Sequence, residues 1–143
     1  MIRMPHEIRN PDRLSPARGF SHAVIASPGR TLYLGGQTAH GPDGALHGDT
    51  IVEQFGGAVD NLVVALESAG ARAEDLVSLQ IFVTDADEYR SSLEPIGAIW
   101  RERLGRRYPA MALFEVSGLL DPGAKVELVG IAVIPEGDST GSE

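Results

Sequence analysis

The segment Val126–Ile134, VELVGIAVI, decides how this chain must fold. Its β-branched residues predict a strand, and the side chains of a strand alternate between its two faces. Both faces are apolar here, one with Val126, Leu128 and Ala132 and the other with Val129, Ile131 and Val133. Because apolar faces are stable only when they are covered, the sheet that contains this strand needs a partner layer on each side.

Other segments also predict strands. Residues 21–27 (SHAVIAS) and 31–37 (TLYLGGQ) are separated by PGR, which favours a turn, so we expect these two strands to form a hairpin. Residues 76–84 alternate apolar and polar side chains, and residues 109–118 enter a strand through a proline. A short edge strand is also expected at His6–Arg9.

Two segments predict helices. Residues 50–70 carry apolar side chains at steps of three and four, and Thr50 with Glu53 has the spacing of a capping box. A second helix begins at Asp85 and keeps the same apolar step. Pro95 lies inside it, so we expect a kink or a break at that point.

These elements make one domain, residues 19–135, preceded by an arm (1–18) and followed by a small polar tail (136–143) that we expect to be disordered. The order of elements is strand, strand, strand, helix, strand, helix, strand, strand. It predicts an α+β fold, a mixed sheet with two helices on one face. The chain offers no further helix for the other face, so we expect another copy of the chain to cover it.

The composition excludes several classes of function. Hydrophobic residues make up 43% and charged residues 22% of the 143, as in a soluble globular domain. The chain has no cysteine, which excludes disulfides, thiolate nucleophiles and zinc–thiolate sites. No apolar run reaches membrane-span length and no signal peptide is evident, so we expect a cytoplasmic protein with no membrane partner. The net charge of −8 opposes nucleic acid binding.

Six segments together resemble the YjgF/RidA family of small trimeric proteins. The resemblance runs over residues 19–135 without large gaps. No single segment is specific, but all six in this order and spacing are hard to obtain by chance. They are GFSHAV from Gly19, LGGQ from Leu34, DNLVVALESAG from Asp60, IFVTDADEY from Ile81, YPAMALFEV from Tyr108 and VELVGIAVI from Val126.

The resemblance implies a chorismate-mutase-like fold in which three protomers close their sheets into a barrel with the helices outside. It also implies a small-molecule pocket at each subunit interface. Many members of the family hydrolyse reactive enamines and imines to keto acids and ammonia, and older labels for the family include translation inhibitor and endoribonuclease. A homotrimer agrees with strands that are apolar on both faces.

The residue at position 111, a methionine, differs from the one found in the family's deaminating members. In those, an arginine follows YPA and holds the substrate carboxylate with its planar fork of donors, whereas a thioether offers neither charge nor donor. Other polar positions that the resemblance places in the pocket are apolar here as well. They are Phe20, Leu93, Leu113 and Val129, the last in place of a glutamate associated with the attacking water. Deamination of 2-imino acids by the usual mechanism is therefore not expected.

Main-chain groups of the family pocket remain. Gly35, Gly36 and Gln37 follow a strand where glycines let a ligand approach main-chain N–H groups closely. The resemblance gives these amides, and the carbonyl of Ala110, a role in positioning the ligand. Amides beside an apolar wall suit a neutral carbonyl compound, an enamine or an aromatic ketone.

His22 and Glu115 are the candidate catalytic groups. His22 lies close to Phe20, and histidine is a residue type that commonly serves as a general acid or base. Glu115 would act as a base if it were buried beside the pocket, and otherwise it pairs with an arginine across the trimer interface. No metal or cofactor is expected, because His40 and His47 lack metal-ligand spacing and the known nucleotide and hydrolase motifs are missing.

Three functions remain open. The first is a diverged enzyme acting on a small apolar enamine, imine or carbonyl metabolite. The second is a non-catalytic ligand-binding or regulatory trimer. The third is an ordinary enamine or imine deaminase in which Arg90 or Arg101 takes the place of the arginine missing at Met111. Endoribonuclease activity is disfavoured, because the charge is acidic and the pocket is apolar.

Overall fold

The computed structural model describes residues 6–137, so the predicted arm and tail are described only in part, and residues 1–5 and 138–143 lie outside. Within this range the chain forms short and long strands and three α-helices, with a single 3-10 turn at Ala73–Asp75. The elements are β1 (Glu7–Arg9), β2 (Ala23–Ile25), β3 (Gly29–Tyr33), α1 (Ile51–Ser68), β4 (Leu76–Val83), α2 (Ala86–Arg90), α3 (Leu93–Leu104), β5 (Ala110–Glu115) and β6 (Val126–Pro135).

The main sheet is mixed and has the strand order β3-β6-β4-β5. β6 is antiparallel to both of its neighbours, whereas β5 is parallel to β4. A parallel neighbour needs a crossover connection, and α2 and α3 supply it. The predicted α+β class, with a mixed sheet and helices on one face, is confirmed.

The predicted hairpin between residues 21–27 and 31–37 is wrong. β2 pairs with β1, so that Ile8 lies opposite Val24, and β3 pairs with β6. Gly29 does not turn the chain back on itself, because it starts β3 against β6 so closely that a side chain there would collide with the carbonyl of Ile134. The Pro-Gly signal therefore marks a close approach of two backbones rather than a tight turn.

The helix predictions are confirmed in detail. Thr50 and Glu53 form both hydrogen bonds of a capping box at the start of α1. The second helix is broken, since α2 ends at Arg90 and α3 begins at Leu93. Pro95 lies in the first turn of α3, where backbone N–H groups have no partner within the helix and a missing one costs little.

The two long helices, α1 and α3, cover one face of the main sheet. Its buried side chains alternate along the two central strands and meet Phe55, Val59 and Leu62 of α1. The other face, which we call the open sheet face, is largely apolar, with Ser78, Gln80 and Glu127 as polar side chains, and it is only partly covered by this chain. It carries Tyr33, Phe82, Phe114, Val129 and Ile131, with the rings of Phe82 and Phe114 stacked at 5.6 Å and with Tyr33 77% exposed.

Gln54 connects the start of α1 to the start of β6. Its side chain is 1% exposed, and its amide nitrogen donates to the carbonyls of Gly48 (3.1 Å) and Gly123 (2.9 Å). Its amide oxygen accepts from the backbone N–H of Lys125 at 2.7 Å. One buried side chain thus satisfies three main-chain groups of two loops.

We expect Gln54→Leu to lower the free energy of unfolding by about 3 kcal/mol, because three buried main-chain groups lose their partners. Urea unfolding followed by circular dichroism measures this. Glu67→Leu, an exposed position on the same helix, is the matched control and should change stability little. Equal stability of the two variants would show that the Gln54 hydrogen bonds do not hold these loops.

Candidate functional site

A cleft of about 440 Å³ opens between β5 and α3 on the helix-covered side of the sheet. Its volume lies in the usual range for small-molecule sites. Most of its lining is apolar or aromatic. The lining residues are Arg18, Gly19, Phe20, Phe55, Ile81, Tyr89, Leu93, Ile96, Gly97, Trp100, Arg101, Tyr108, Met111, Ala112 and Leu113.

The sequence periodicity of both elements explains this lining. On α3 the cleft residues recur at steps of three and four from Leu93 to Arg101, which is one face of a helix. On β5 the register places Met111 opposite Leu79 and Leu113 opposite Ile81, so their side chains share the buried face of β4. The cleft lies where the edge strand and the crossover helix diverge.

The cleft has a buried floor and an exposed rim. Phe55, Ile81, Ile96 and Trp100 are each at most 4% exposed and form the floor. The rim is formed by the more exposed lining residues, Arg18, Leu93, Arg101 and Leu113. A ligand that enters the cleft would therefore meet charge at the rim and aromatic and aliphatic groups at the floor.

Part of the predicted site is brought together here: Phe20, Leu93, Met111 and Leu113 all line the cleft. These are positions at which the resemblance expects polar groups. Their part in binding stays a prediction. The apolar wall that their side chains were predicted to form is present.

The remaining predicted pocket residues lie elsewhere in the same chain. Val129 pairs with Gln80 on the open sheet face, opposite to the face of Met111. The main chain of Gln37 pairs with that of Leu128, and Gly36 lies against the carboxylate of Glu127. Ala110 pairs with Ser78 beside the cleft but does not line it. Within one chain the predicted residues thus form two groups rather than one.

His22 does not line the cleft. One of its ring nitrogens lies 2.7 Å from the carbonyl of Ser15, and its ring meets the edge of Phe20 with centroids 5.0 Å apart. Its backbone N–H donates to the side chain of Asn10 at 2.7 Å. These contacts join His22 to the N-terminal arm, and Phe20, just after the arm, lines the cleft.

Glu115 is not buried beside the cleft in this chain, so the condition for its role as a base is not met here, and its pairing with an arginine across the trimer interface stays a prediction. Glu115 is exposed at the end of the edge strand β5, and its carboxylate accepts from the backbone N–H of Ala86 at 2.8 Å. Ala86 is the first residue of α2, where free N–H groups and the helix dipole favour a negative charge. Glu115 therefore joins β5 to the crossover.

Two arginines line the cleft. The guanidinium of Arg101 lies over Gly97, so that a side chain at Gly97 would come within 3.1 Å of it. Arg18 approaches the cleft from the N-terminal arm. Arg90 does not take part, because it pairs with Asp87. Throughout residues 6–137, neither Arg18 nor Arg101 has a carboxylate partner.

The sequence pointed to Arg101 and missed Arg18. The available signal for Arg18 was its position two residues before Phe20, a predicted pocket residue. A side chain in an arm without periodicity has no predictable direction, so only the folded arm shows where Arg18 lies.

The other polar groups of the cleft are aromatic. Trp100 stacks on Tyr108 with centroids 5.7 Å apart, and its buried indole N–H has no hydrogen-bond partner in the described part of the chain. Tyr89 meets the ring of Phe55 edge-on at 6.4 Å. Burial raises the pKa of the Tyr89 hydroxyl to about 12, so it stays protonated at physiological pH.

A second, more open cleft of about 800 Å³ lies between the loop after β3 and the outer face of α1. In it His40 is hydrogen-bonded to the hydroxyl of Thr38 and lies 3.3 Å from the carboxylate of Asp121. Asn61 fixes this loop by donating to the carbonyls of Thr38 and His40. His47 pairs separately with Asp43 at 3.2 Å.

Residues 6–137 contain no cluster of three or more His, Asp or Glu side chains that could hold a metal ion. None of the helices in the same range has the length and hydropathy that crossing a membrane requires.

A sequence model of the family described as Endoribonuclease L-PSP matches residues 10–134, which is most of the chain. The chain belongs to this family, also called YjgF/RidA. A solved structure of a Rid-family protein of unknown function, YyfB from Yersinia pestis, superposes with a TM-score of 0.82 at 30% identity, covering 91% of this chain and 99% of that one. The predicted family and fold are confirmed.

Other relatives in the YjgF/RidA family agree. The chain is 31% identical to "Protein mmf2, mitochondrial" of Schizosaccharomyces pombe, over 86% of this chain and 94% of that protein. It is 29% identical to a 2-iminobutanoate/2-iminopropanoate deaminase of Mus musculus, over 80% of each. The structure of RidA from a Psychrobacter species superposes with a TM-score of 0.64 at 26% identity, over 84% of this chain and 92% of that one. One relative is named mitochondrial, and the cytoplasmic location of this protein stays a prediction.

We expect the stability of the protein to fall by about 1 kcal/mol between pH 8 and pH 11 through Tyr89 alone. Burial raises the pKa of Tyr89 from 10.0 to about 12, so the neutral form is favoured in the folded state. That stabilisation is complete below pH 10 and is lost as the pH rises towards 12. Tyr89→Phe should remove this part of the pH dependence.

Urea unfolding at the two pH values measures the effect. The wild type and Tyr89→Phe are compared at both pH values. If both lose the same stability between pH 8 and pH 11, Tyr89 does not carry the alkaline loss of stability.

Proposed function

We propose that the protein is a homotrimer whose cleft binds a small, largely apolar enamine, imine or carbonyl compound, diverged from the deamination of 2-imino acids. The observation that carries the proposal is the lining of the cleft. Met111 and Leu113 stand on β5 where the family's deaminases have polar groups, and Phe20 and Leu93 face them. A ligand with an apolar body gains from burial against these side chains.

The trimer is proposed from the open sheet face. Exposed rings at Tyr33 and Phe114, together with Val129 and Ile131, make an apolar surface on one side of a sheet whose other side is packed by helices. Sheets of this kind are stable when a further layer covers them. The occupant we propose is the same face of two further copies, as the family resemblance implies.

A trimer would also unite the two groups of predicted site residues. In one chain, Met111 and Val129 lie on opposite faces of the sheet. The segment Gly35–Gln37 likewise lies outside the cleft. We propose that a neighbouring copy brings its Gly35–Gln37 segment to the mouth of this cleft, so that the pocket is completed at the interface.

The cleft of one chain favours binding over catalysis. Its lining contains no carboxylate or imidazole among the described residues. His22 and Glu115, the candidate bases, are engaged in the arm and at α2. Hydrolysis of a C=N bond needs a group that activates water, so turnover in this protein would require a group from a neighbouring copy.

The ordinary deaminase is the second candidate function, and two observations favour it. One relative is named as a 2-iminobutanoate/2-iminopropanoate deaminase. In addition, Arg101, one of the two arginines predicted as a substitute for the missing one, lines the cleft. The endoribonuclease in the family description finds little support in a chain of net charge −8, since binding a phosphate backbone requires cationic side chains.

The deaminase assay that decides between these functions uses 2-aminoacrylate generated in situ, with release of the keto acid followed over time. We expect the wild type and Met111→Leu to release it at the buffer rate, because the floor of the cleft offers no charge for the substrate carboxylate. Met111→Arg should also stay near the buffer rate, because the other polar groups are missing. The mouse deaminase is the positive control. Release by the wild type well above buffer would establish the second candidate instead.

For the trimer, we expect Phe114→Asp to convert a species of about three times 15.2 kDa into the monomer, because a carboxylate cannot be buried without a partner in an apolar interface. Light scattering coupled to size-exclusion chromatography measures the mass. Val64→Asp on the outer side of α1, 65% exposed, is the matched control and should leave the trimer intact. A wild type that is monomeric at micromolar concentration would refute the assembly.

A further inference from the structure

We propose that the natural ligand is an apolar monoanion whose acidic group lies at the rim of the cleft, at Arg18 and Arg101, and whose apolar end lies on the floor, against Met111. The inference rests on the proposed binding function of this cleft and specifies its ligand class. The ligand would therefore lie in the opposite orientation to one bound by an arginine at position 111, because that arginine would bind the acidic group beside the strand.

The charge of the cleft differs from that of the chain. The protein has 20 Asp and Glu against 12 Lys and Arg, yet the residues that line the cleft include two arginines and no acidic residue. A cleft with low-dielectric walls focuses the field of the charges at its rim. An anion is therefore attracted to this rim, whereas an ammonium compound would be repelled by it.

The position of Arg101 fits an anion at the rim. Its guanidinium lies over Gly97, on the α3 face that lines the cleft, and Trp100 follows on the same face. A planar guanidinium presents a fork of donors that matches a carboxylate. Arg103, two residues further along α3 and therefore about half a turn away, shows the alternative, since it pairs with Asp60 at 2.5 Å.

The remaining polar groups of the cleft need acceptors. The indole N–H of Trp100 is not among them, because that nitrogen is fully buried and a ligand in the cleft does not reach it. Tyr89 contributes a protonated hydroxyl. Side-chain acceptors of Asp, Glu, Asn, Gln or His type do not occur in the lining of the described chain. A ligand that carries carbonyl and carboxylate oxygens would accept hydrogen bonds from the Tyr89 hydroxyl and the two guanidinium groups, and an ammonium group would not.

The volume of the cleft indicates how large the apolar group of the ligand can be. A volume of about 440 Å³ holds a compound with a branched aliphatic or a single aromatic group. The floor residues are aromatic and aliphatic and nearly fully buried, so each buried carbon of the ligand adds to binding. A two- or three-carbon acid such as pyruvate would leave the floor empty.

The experiment uses the one tryptophan of the chain, Trp100, as a reporter in the cleft. The purified full-length protein is titrated with 4-methyl-2-oxopentanoate, with its methyl ester and with pyruvate, and quenching of the Trp100 fluorescence is confirmed by calorimetry. We expect the branched acid to bind at least about tenfold more tightly than the ester, which lacks the charge, and than pyruvate, which lacks the apolar group.

The arginines are tested in the same assay. Arg101→Gln and Arg18→Gln should each weaken binding of the branched acid by up to about tenfold and leave binding of the ester unchanged. Arg106→Gln is the matched control, since Arg106 is exposed after α3 and does not line the cleft. Added salt should weaken binding of the acid and leave binding of the ester unchanged.

The outcomes separate this inference from the proposed function. If the ester binds as tightly as the acid and neither arginine variant changes the affinity for the acid, the monoanion inference is refuted, while the proposed binding of an apolar carbonyl compound stands. If no probe binds, the monoanion inference and the proposed binding function are both refuted. If pyruvate binds as tightly as the branched acid, the apolar end is refuted and the ordinary deaminase substrate is favoured.

Discussion

The pairing of β6 with β4 is the constraint on which the rest of the structure depends. It sets Leu128 opposite Ile81 on one face and Val129 opposite Gln80 on the other. A shift by one residue would exchange the faces, so this register decides which side chains the helices bury and which remain on the open sheet face. Gln54 holds the start of β6 beside the start of α1 and so supports the same register.

The cleft follows from the parallel strand at the sheet edge. Because β5 is parallel to β4, the chain must cross over the sheet between them, and the crossover contains α3. α3 packs on α1 while β5 extends the sheet beyond it, so a space remains between strand and helix. The helix brings Arg101 to the rim of that space and Trp100 to its floor, and the strand contributes Met111.

Much of the fold followed from local pattern. The capping box at Thr50, the break near Pro95 and the two apolar faces of β6 are each determined by residues a few positions apart. The hairpin prediction failed because strand pairing joins distant segments, and Gly29 belongs against β6 rather than in a turn. The sequence left the burial of Glu115 open, because a strand pattern does not show whether its strand lies at the edge of the sheet.

The sequence by itself determined the elements, the family and the replacement of polar pocket positions by Met111 and its apolar neighbours, because these depend on residue type and spacing. Only the tertiary structure decided which of those positions meet. It separated Val129 from Met111 onto opposite sheet faces, and it brought Arg18 from the arm and Arg101 from α3 to one rim. The physical reason is that a side chain's direction depends on the register of its strand and the packing of its helix, which residues far apart in the chain determine together.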